Sequence, residues 1–141
     1  MHKLSKQPSA LQEKTLNLAV RIVNLSRYLA QDKNEYIISK QILRCGTNPG
    51  AMVREAANAE TGVDFIHKLG IAQKEAGETL YWLELLHKTN FLTASEYTSI
   101  AVDTEEIMKM LRSSILTKKK NLATKAVSAI SLIAILVYFA F

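Results

Sequence analysis

Apolar residues recur at alternating steps of four and three in two long segments of the chain, and no other feature limits its fold so strongly. The first segment carries this repeat on Leu11, Thr15, Leu18, Ile22, Leu25 and Leu29, and the last carries it on Tyr97, Ala101, Thr104, Met108, Leu111 and Ile115. Such a repeat places one stripe of side chains along an α-helix that packs nearly parallel to a partner. Because no segment shows a convincing strand alternation, the sequence predicts an all-α protein.

Short polar motifs mark where four helices begin and end. The predicted N-terminal caps are Ser9 with Gln12 for helix 1, Asn34 for helix 2, Thr61 with Asp64 for helix 3, and Thr93 with Glu96 for helix 4. Side chains of these types accept hydrogen bonds from the free backbone N–H groups of a first helical turn. Gly62 is expected to stop helix 2 and Asn90 to stop helix 3.

The length of the chain fits one domain with a core rather than two. Four helices of roughly 20 residues with short connections predict an antiparallel up-down-up-down four-helix bundle with a C-terminal hydrophobic helical extension. We expect a flexible N-terminal arm over residues 1–8, the bundle over residues 9–117, and a lysine-flanked hydrophobic helix over residues 118–141.

A proline and two glycines lie inside predicted helices. Pro49 lacks a backbone donor and clashes with the preceding turn, so we expect helix 2 to kink or restart there, with Thr47 or Asn48 capping the second part. Gly70 and Gly77 share one face of helix 3, where each costs about 1 kcal/mol relative to alanine. Close approach of another helix, within the bundle or across a subunit interface, would offset that cost. Glycines that are tolerated without a packing role are the alternative.

Charge is divided unevenly along the chain. Residues 1–54 carry a net charge of +6, residues 55–112 carry −5, and residues 113–141 carry +4. One interpretation is that the basic first half binds the phosphates of nucleic acid. The other is that the two halves attract each other, within one subunit or between neighbours.

The basic residues of helices 1 and 2 are the candidate nucleic-acid-binding residues. They are Lys14, Arg21, Lys40, Arg44 and Arg54. Alternatively, these residues lie on a solvated face or form salt bridges to the acidic helices 3 and 4. Tyr81 and Trp82 lie within an apolar run, so we expect them to be packing anchors of the core or a subunit interface rather than platforms for bases.

No catalytic constellation is visible, and we predict neither an enzyme nor a cofactor. Glu84 and His87 have a Glu-x-x-His spacing, but di-iron bundles need that motif on two helices and carboxylates from two others. We therefore expect no metal site, and a Glu84–Lys88 pair on a solvated face instead. Cys45, the single cysteine, follows Arg44, whose charge would lower the pKa of the thiol. A small buried apolar role is the favoured interpretation of this cysteine.

The chain resembles a known bacterial family over about residues 10–117, most clearly in the stretch from Gln41 to Leu86. It contains QILRCGTNPGAMVREA followed by DFIHKLGIAQKEAGETLYWLELL. These blocks resemble the four-helix-bundle proteins encoded in intervening sequences of 23S ribosomal RNA genes. The matching positions are Gln41, Leu43, Arg44, Gly46, Thr47, Gly50, Glu55, Ala56, Asp64, Phe65, Lys68, Ala72, Lys74, Glu75, Glu78, Thr79, Trp82 and Leu83.

The resemblance implies a bundle that assembles into a homo-oligomeric ring, with five subunits as the expected number. A related branch, the accessory protein of diversity-generating retroelements, partners a reverse transcriptase and nucleic acid. The resemblance therefore implies RNA or DNA, or a reverse transcriptase-type protein, as partners. It implies no catalytic residues.

The C-terminal residues continue beyond the part of the chain that the resemblance covers. Residues 126–141 hold no charge, and a helix over residues 122–141 would be about 30 Å long, close to the thickness of a bilayer core. The membrane-flanking residues would be Lys118, Lys119, Lys120 and Lys125, with Lys125 extending its amine outward. A helix buried in the oligomer, a tail without a role, and a phosphate-binding lysine arm are the alternatives.

Two functions are consistent with these patterns. The leading hypothesis is a non-enzymatic ring of bundles that binds nucleic acid or a nucleoprotein through helices 1 and 2. The alternative is an oligomeric scaffold anchored in the membrane through residues 122–141. Both place the protein in the cytoplasm, the second on the inner face of the membrane.

Overall fold

The computed structural model describes residues 8–140, which form four helices and, within that range, no strand. Helix α1 spans Ala10–Asp32, α2 spans Ile38–Ala57, α3 spans Gly62–Lys88 and α4 spans Ala94–Ala140. The predicted N-terminal arm lies outside the described residues except for its last position, residue 8.

The helices form a bundle in which each packs against the next and α1 packs against α4. Ion pairs show that α1 and α4 run in opposite directions, as do α2 and α3. Lys14 of α1 pairs with Glu106 of α4, whereas Arg21, one heptad later, pairs with Asp103. On the other side of the bundle, Arg44 of α2 pairs with Glu75 and Glu78, while Glu55 pairs with Lys68.

The core lies between the four helices and contains most of the two predicted stripes. Its largest fully buried apolar side chains are Leu18, Ile22, Leu29, Ile42, Leu69, Leu83, Leu86, Ile107 and Leu111. In α4, Ile100 and Ile107 are buried, whereas the predicted Tyr97 and Met108 are only half-buried. Three buried threonines, Thr15, Thr79 and Thr104, each donate their hydroxyl hydrogen to the carbonyl oxygen one turn earlier, at 2.8–2.9 Å. Their polar groups are therefore satisfied inside the core.

Three of the predicted caps are confirmed. Ser9 and Gln12 form a reciprocal capping box at α1. The Thr61 hydroxyl accepts the backbone N–H of Asp64 at 3.0 Å, and Thr93 with Glu96 forms a second reciprocal box at α4. Asn90, with φ of 64°, lies in the left-handed region just after α3, where it ends the helix as predicted.

The cap predicted at Asn34 is wrong. Asn34 lies in the connection between α1 and α2 with φ of 53°. The carboxylate of Glu35 instead accepts the backbone N–H groups of Ile37, Ile38 and Ser39, at 3.0, 2.9 and 2.7 Å. A carboxylate has two oxygens and a negative charge that suits the positive end of a helix, so Glu35 satisfies three donors at once. Gly62 is the first residue of α3 rather than a stop for α2, which ends at Ala57.

The restart predicted at Pro49 is also wrong, because α2 continues through the proline as a single helix. Pro49 is buried, and its neighbours Gly46 and Gly50 are the residues that bring α2 close to α1. A Cβ atom at Gly46 would lie 2.7 Å from the Ile22 side chain, and one at Gly50 would lie 3.5 Å from a backbone oxygen of α1. Packing on both sides of the proline thus outweighs the loss of one backbone hydrogen bond.

A close helix contact at Gly70 and Gly77 is absent among residues 8–140. A Cβ atom at Gly70 would meet nothing within 4 Å, and one at Gly77 would meet only the end of Met108 at 3.9 Å. The contact within the bundle could not be predicted because seven-residue spacing defines a helix face but does not say which face a neighbouring helix covers. A role for these glycines across a subunit interface stays a prediction.

Candidate functional site

Three of the five basic residues predicted to bind nucleic acid are held by carboxylates of α3 and α4. Lys14 Nζ lies 2.7 Å from Glu106 Oε2. The Arg21 guanidinium donates to the Asp103 carboxylate and, at 2.9 Å, to the backbone oxygen of Ser99. Phosphate binding by these residues would require breaking an existing ion pair.

Arg44 is the third of these residues and connects α2 to α3. Its guanidinium lies 3.2 Å from Glu75 Oε2 and also donates to Glu78, whose carboxylate accepts the Trp82 indole N–H at 3.1 Å. The hydrogen bonds from Trp82 and then from Arg44 hold the pKa of Glu78 below its ordinary value. The Glu78 carboxylate in turn raises the pKa of Arg44. Arg44, which was predicted to bind nucleic acid, is therefore part of a cluster of polar contacts between α2 and α3.

Lys40 and Arg54 differ from the other three. Both are exposed, and within residues 8–140 neither forms an ion pair. They lie fourteen residues apart, which places them on the same side of α2. Of the five predicted residues, only these two are therefore available to bind a phosphate without breaking an ion pair within residues 8–140.

Many of the residues on which the family resemblance depends lie in contacts between helices. Beyond the Arg44 cluster, Lys68 Nζ lies 2.8 Å from Glu55 Oε2, and the Thr79 hydroxyl lies 3.4 Å from Cys45 Sγ. Gly46 and Gly50 bring α2 against α1. Many of the residues that carry the resemblance therefore pack α2 against α1 and α3.

Cys45 is an inert core residue rather than a reactive thiol. It is fully buried, and this burial raises the pKa of its thiol to about 11, because a thiolate is poorly solvated there. The neighbouring Arg44 lowers that pKa by less than burial raises it. The prediction of a small buried side chain is confirmed, and the pKa of the thiol is raised rather than lowered.

The Glu-x-x-His motif on α3 has structural contacts of its own. Glu84 pairs with Lys88 at 3.6 Å, as predicted. The His87 ring stacks on Tyr97, with centroids 5.1 Å apart, and its Nδ1 lies 3.1 Å from the Leu92 backbone oxygen. Among the described residues there is no group of three or more His, Cys, Asp or Glu side chains suited to a metal ion.

The two predicted aromatic anchors have different surroundings. Trp82 is partly buried and packs against the core. Tyr81 is 58% exposed, and within the chain its ring meets the edge of Trp82 at a centroid distance of 5.0 Å. Trp82 is therefore an anchor inside the bundle, while a role for Tyr81 in a subunit interface stays a prediction.

The C-terminal half of α4 exposes a run of large apolar side chains, from Val127 to Phe139. The last buried residue of this helix is Ile115, and every residue from 123 to 140 is exposed. An 18-residue window of α4 has a mean hydropathy of 2.0 and is not buried at all inside the chain. By length and composition, this helix is the single candidate for a membrane span among residues 8–140.

A basic segment precedes this apolar surface. From residue 107 to the C-terminus the chain has no acidic side chain, while its cations are Lys109, Arg112, Lys118, Lys119, Lys120 and Lys125. Lys118 Nζ lies 5.2 Å from the centroid of the Phe65 ring, so a cation–π contact with α3 holds this amine against the bundle. Sequence reasoning identified the last four cations and missed the first two. The signal that could have found them is the absence of acids after Glu106.

Comparison with known proteins identifies the bundle. A family model described as 23S rRNA-intervening sequence protein matches residues 9–113. The chain belongs to this family. A crystal structure of a protein of unknown function of the S23 ribosomal protein family, from Bacteroides thetaiotaomicron, is 52% identical, with a TM-score of 0.75. The match covers 75% of this chain and 98% of that one.

A search of curated proteins gives no match. The family model confirms the resemblance that is clearest in Gln41–Leu86, and the four packed helices confirm the predicted four-helix bundle. The family match ends at residue 113, so the lysine cluster of residues 118–120 and the apolar half of α4 lie outside it.

Proposed function

We propose that this protein is a non-enzymatic helical scaffold, held at the cytoplasmic face of a membrane by residues 122–141. The observation that carries this proposal is the continuation of α4 beyond the bundle, with an apolar surface that no other part of residues 8–140 covers. Contiguous exposed apolar patches of more than several hundred Å² are rare on soluble monomers and mark contacts with membranes or partners.

The geometry of the tail suits the interior of a bilayer. Residues 122–140 form about 28 Å of helix, against a hydrocarbon core of about 30 Å. A helix satisfies its own backbone groups, which lipid cannot do. Two side-chain hydroxyls in this range also form hydrogen bonds within the helix. Thr124 donates to the carbonyl oxygen of Lys120, and Ser128 donates to that of Thr124, each at 3.0 Å.

The charges and aromatic residues suggest the orientation. Lys118, Lys119, Lys120 and Lys125 all precede or begin the apolar stretch, which supports a cytoplasmic bundle by the positive-inside rule. Tyr138 and Phe139 are near the far end, where aromatic rings favour the second interface.

Self-association forms part of the proposal. The outer side of α1 exposes Leu16 and Val20, and Leu43 of α2 is also exposed, which supports contact between copies. In a ring of the size implied by the family resemblance, several tails would enter the same bilayer, and their combined anchoring would exceed that of one tail.

Vesicle flotation tests the anchor. The full-length chain is expected to float with phosphatidylcholine vesicles, whereas a chain ending at Thr117 stays at the bottom of the gradient. Circular dichroism of the shortened chain provides the control, because it is expected to remain helical. A full-length protein that stays soluble and does not float would end the proposal.

Nucleic-acid binding is the second candidate function. It is supported by Lys40 and Arg54, which are exposed and form no ion pair within residues 8–140. The chain ending at Thr117 would then bind RNA or DNA at low salt and lose affinity steeply as salt rises. Lys40→Glu with Arg54→Glu should abolish that binding, whereas the matched change Lys88→Glu on α3 should not. Absence of binding to either polymer at low salt would exclude this candidate.

A further inference from the structure

The start of α3 lies directly against the start of the C-terminal tail. A Cβ atom at Gly62 would be 2.8 Å from the Leu122 side chain and 3.1 Å from Cε of Lys118. Residues 58–61, which connect α2 to α3, therefore lie at the level where α4 leaves the bundle. Because α4 is one unbroken helix, no flexible linker separates the bundle from the tail.

An apolar side chain is exposed at this end of the bundle. Val63, in the first turn of α3, is 71% exposed and follows the glycine that contacts Leu122. If Leu122 begins the membrane span, Val63 lies at the depth of the lipid headgroups. The bundle thus exposes an apolar side chain next to the residue at which it contacts the tail.

Three lysines lie at the same level. Lys118, Lys119 and Lys120 precede Leu122 by two to four residues, which is about 3–6 Å along the helix axis. The headgroup region is about 5–7 Å thick on each side of the hydrocarbon core, so these amines would lie within it. The acidic groups that face this end are Glu60, in the connection, and Asp64, in the first turn of α3. Cations are therefore in excess where the lipid phosphates would be.

We propose that the α2–α3 end of the bundle docks on the headgroup layer of an anionic bilayer. Val63 inserts among the headgroups, and Lys118, Lys119 and Lys120 bind lipid phosphates. This inference rests on the proposed anchoring of residues 122–141, and it adds that the bundle stands against the membrane with its helices roughly along the membrane normal. Each lysine at an anionic surface is expected to strengthen the contact about fivefold.

Fluorescent labels at the two ends of the bundle test the docking. Val63→Cys and, as the matched control, Ile37→Cys are made in the full-length chain and labelled with a polarity-sensitive nitrobenzoxadiazole probe. Ile37 is 76% exposed and lies in the connection at the opposite end of the bundle. The native Cys45 is buried, and labelling of the unmodified chain verifies that it does not react.

The vesicles contain phosphatidylcholine alone or with phosphatidylglycerol. We expect the probe at position 63 to shift to the blue and to be quenched by lipids spin-labelled near the headgroup, most strongly with phosphatidylglycerol. The probe at position 37 should emit as in water in both vesicles. A protein that floats while both probes emit as in water would overturn the docking but leave the anchor intact. Failure to float would overturn both.

A set of charge variants tests the lysines. Lys118→Gln, Lys119→Gln and Lys120→Gln together should leave flotation intact and remove the effect of phosphatidylglycerol on the probe at position 63. Lys109→Gln with Arg112→Gln is the matched control, because these cations lie about 15–20 Å from Leu122 along α4. An unchanged phosphatidylglycerol effect in the triple variant would overturn the role of the lysines. Release of the position-63 probe from vesicles by an added oligonucleotide would assign the lysines to nucleic acid instead.

Discussion

The two halves of α4 share one backbone geometry but have opposite surroundings. The first half, up to residue 117, buries one stripe of side chains against the bundle: Ile100, Ala101, Thr104, Ile107, Leu111 and Ile115. The second half, from residue 118, buries none. The first half has apolar residues on one side, whereas residues 126–140 of the second half have them all round, and a helix that is apolar all round needs an apolar environment on every side. The same helix therefore connects a bundle with a buried core to an exposed apolar surface.

The largest expected difference between the halves is in folding stability. Leu111→Ala removes a fully buried side chain, so it should lower the free energy of unfolding by about 2–5 kcal/mol. Leu132→Ala, in the exposed half, should leave it unchanged. Denaturant titrations in mild detergent, followed by the fluorescence of the partly buried Trp82, measure both. Equal losses for the two variants would show that the tail packs as part of the folded unit.

A charge placed in the tail should act on insertion rather than on folding. Ile133→Arg puts a cation near the middle of the proposed span and should disfavour insertion by about 2.5–3.5 kcal/mol. Leu116→Arg, at an exposed position of the bundle half, is the control and should float like the unmodified chain. Flotation measures both variants, and equal flotation of the Ile133 variant would contradict a spanning tail.

The sequence was sufficient to predict features that depend on local patterns. The caps at Ser9, Thr61 and Thr93 were predicted correctly because a cap depends on residues within one turn of each other. Most of the buried stripes of α1 and α4 was predicted because apolar periodicity selects the core face, although Ile100 and Ile107 of α4 were missed. The cap at Glu35 was missed because the rule favours short side chains, whereas this longer carboxylate reaches three donors from outside the helix.

Features that depend on contacts between helices could not be predicted. The sequence suggested close packing at Gly70 and Gly77, and the close packing occurs at Gly46 and Gly50 instead. Net charge showed that the two halves of the chain differ, but only side-chain geometry showed that residues such as Arg44 point to carboxylates of the same chain. The candidate binding surface was for that reason the weakest part of the sequence-based prediction.

The reactivity of Cys45 tests how well the bundle half excludes water. With a thiol pKa of about 11, roughly one molecule in a thousand carries the thiolate at pH 8, about a hundredfold less than for an ordinary thiol. Alkylation by iodoacetamide should therefore be at least that much slower in the native protein than in denaturant. Comparable rates in the two conditions would show that the core near Arg44 opens readily.

The smallest expected difference is in the response to acid. The pKa of Glu78 is lowered in the folded state, so its stabilising effect is present above its ordinary pKa and is lost as the pH falls through the lowered value. Because the cluster is partly exposed, the effect should be below about 1 kcal/mol. Glu78→Gln should reduce the acid dependence of unfolding by that amount.

Membrane insertion provides the contrast, because residues 118–141 contain no acidic side chain and no histidine. Flotation should therefore not change between neutral and mildly acidic pH. A loss of flotation that follows the acid unfolding of the bundle would show that the tail depends on the bundle for insertion.

Extraction of membranes from cells that produce the protein tests the central claim most directly. A tail that spans the bilayer should keep the full-length chain in the membrane pellet after both high salt and alkaline carbonate, while the chain ending at Thr117 is found in the soluble fraction. Release of the full-length chain by either treatment would show that charge or a peripheral contact holds it, and would contradict a membrane-spanning C-terminal half of α4.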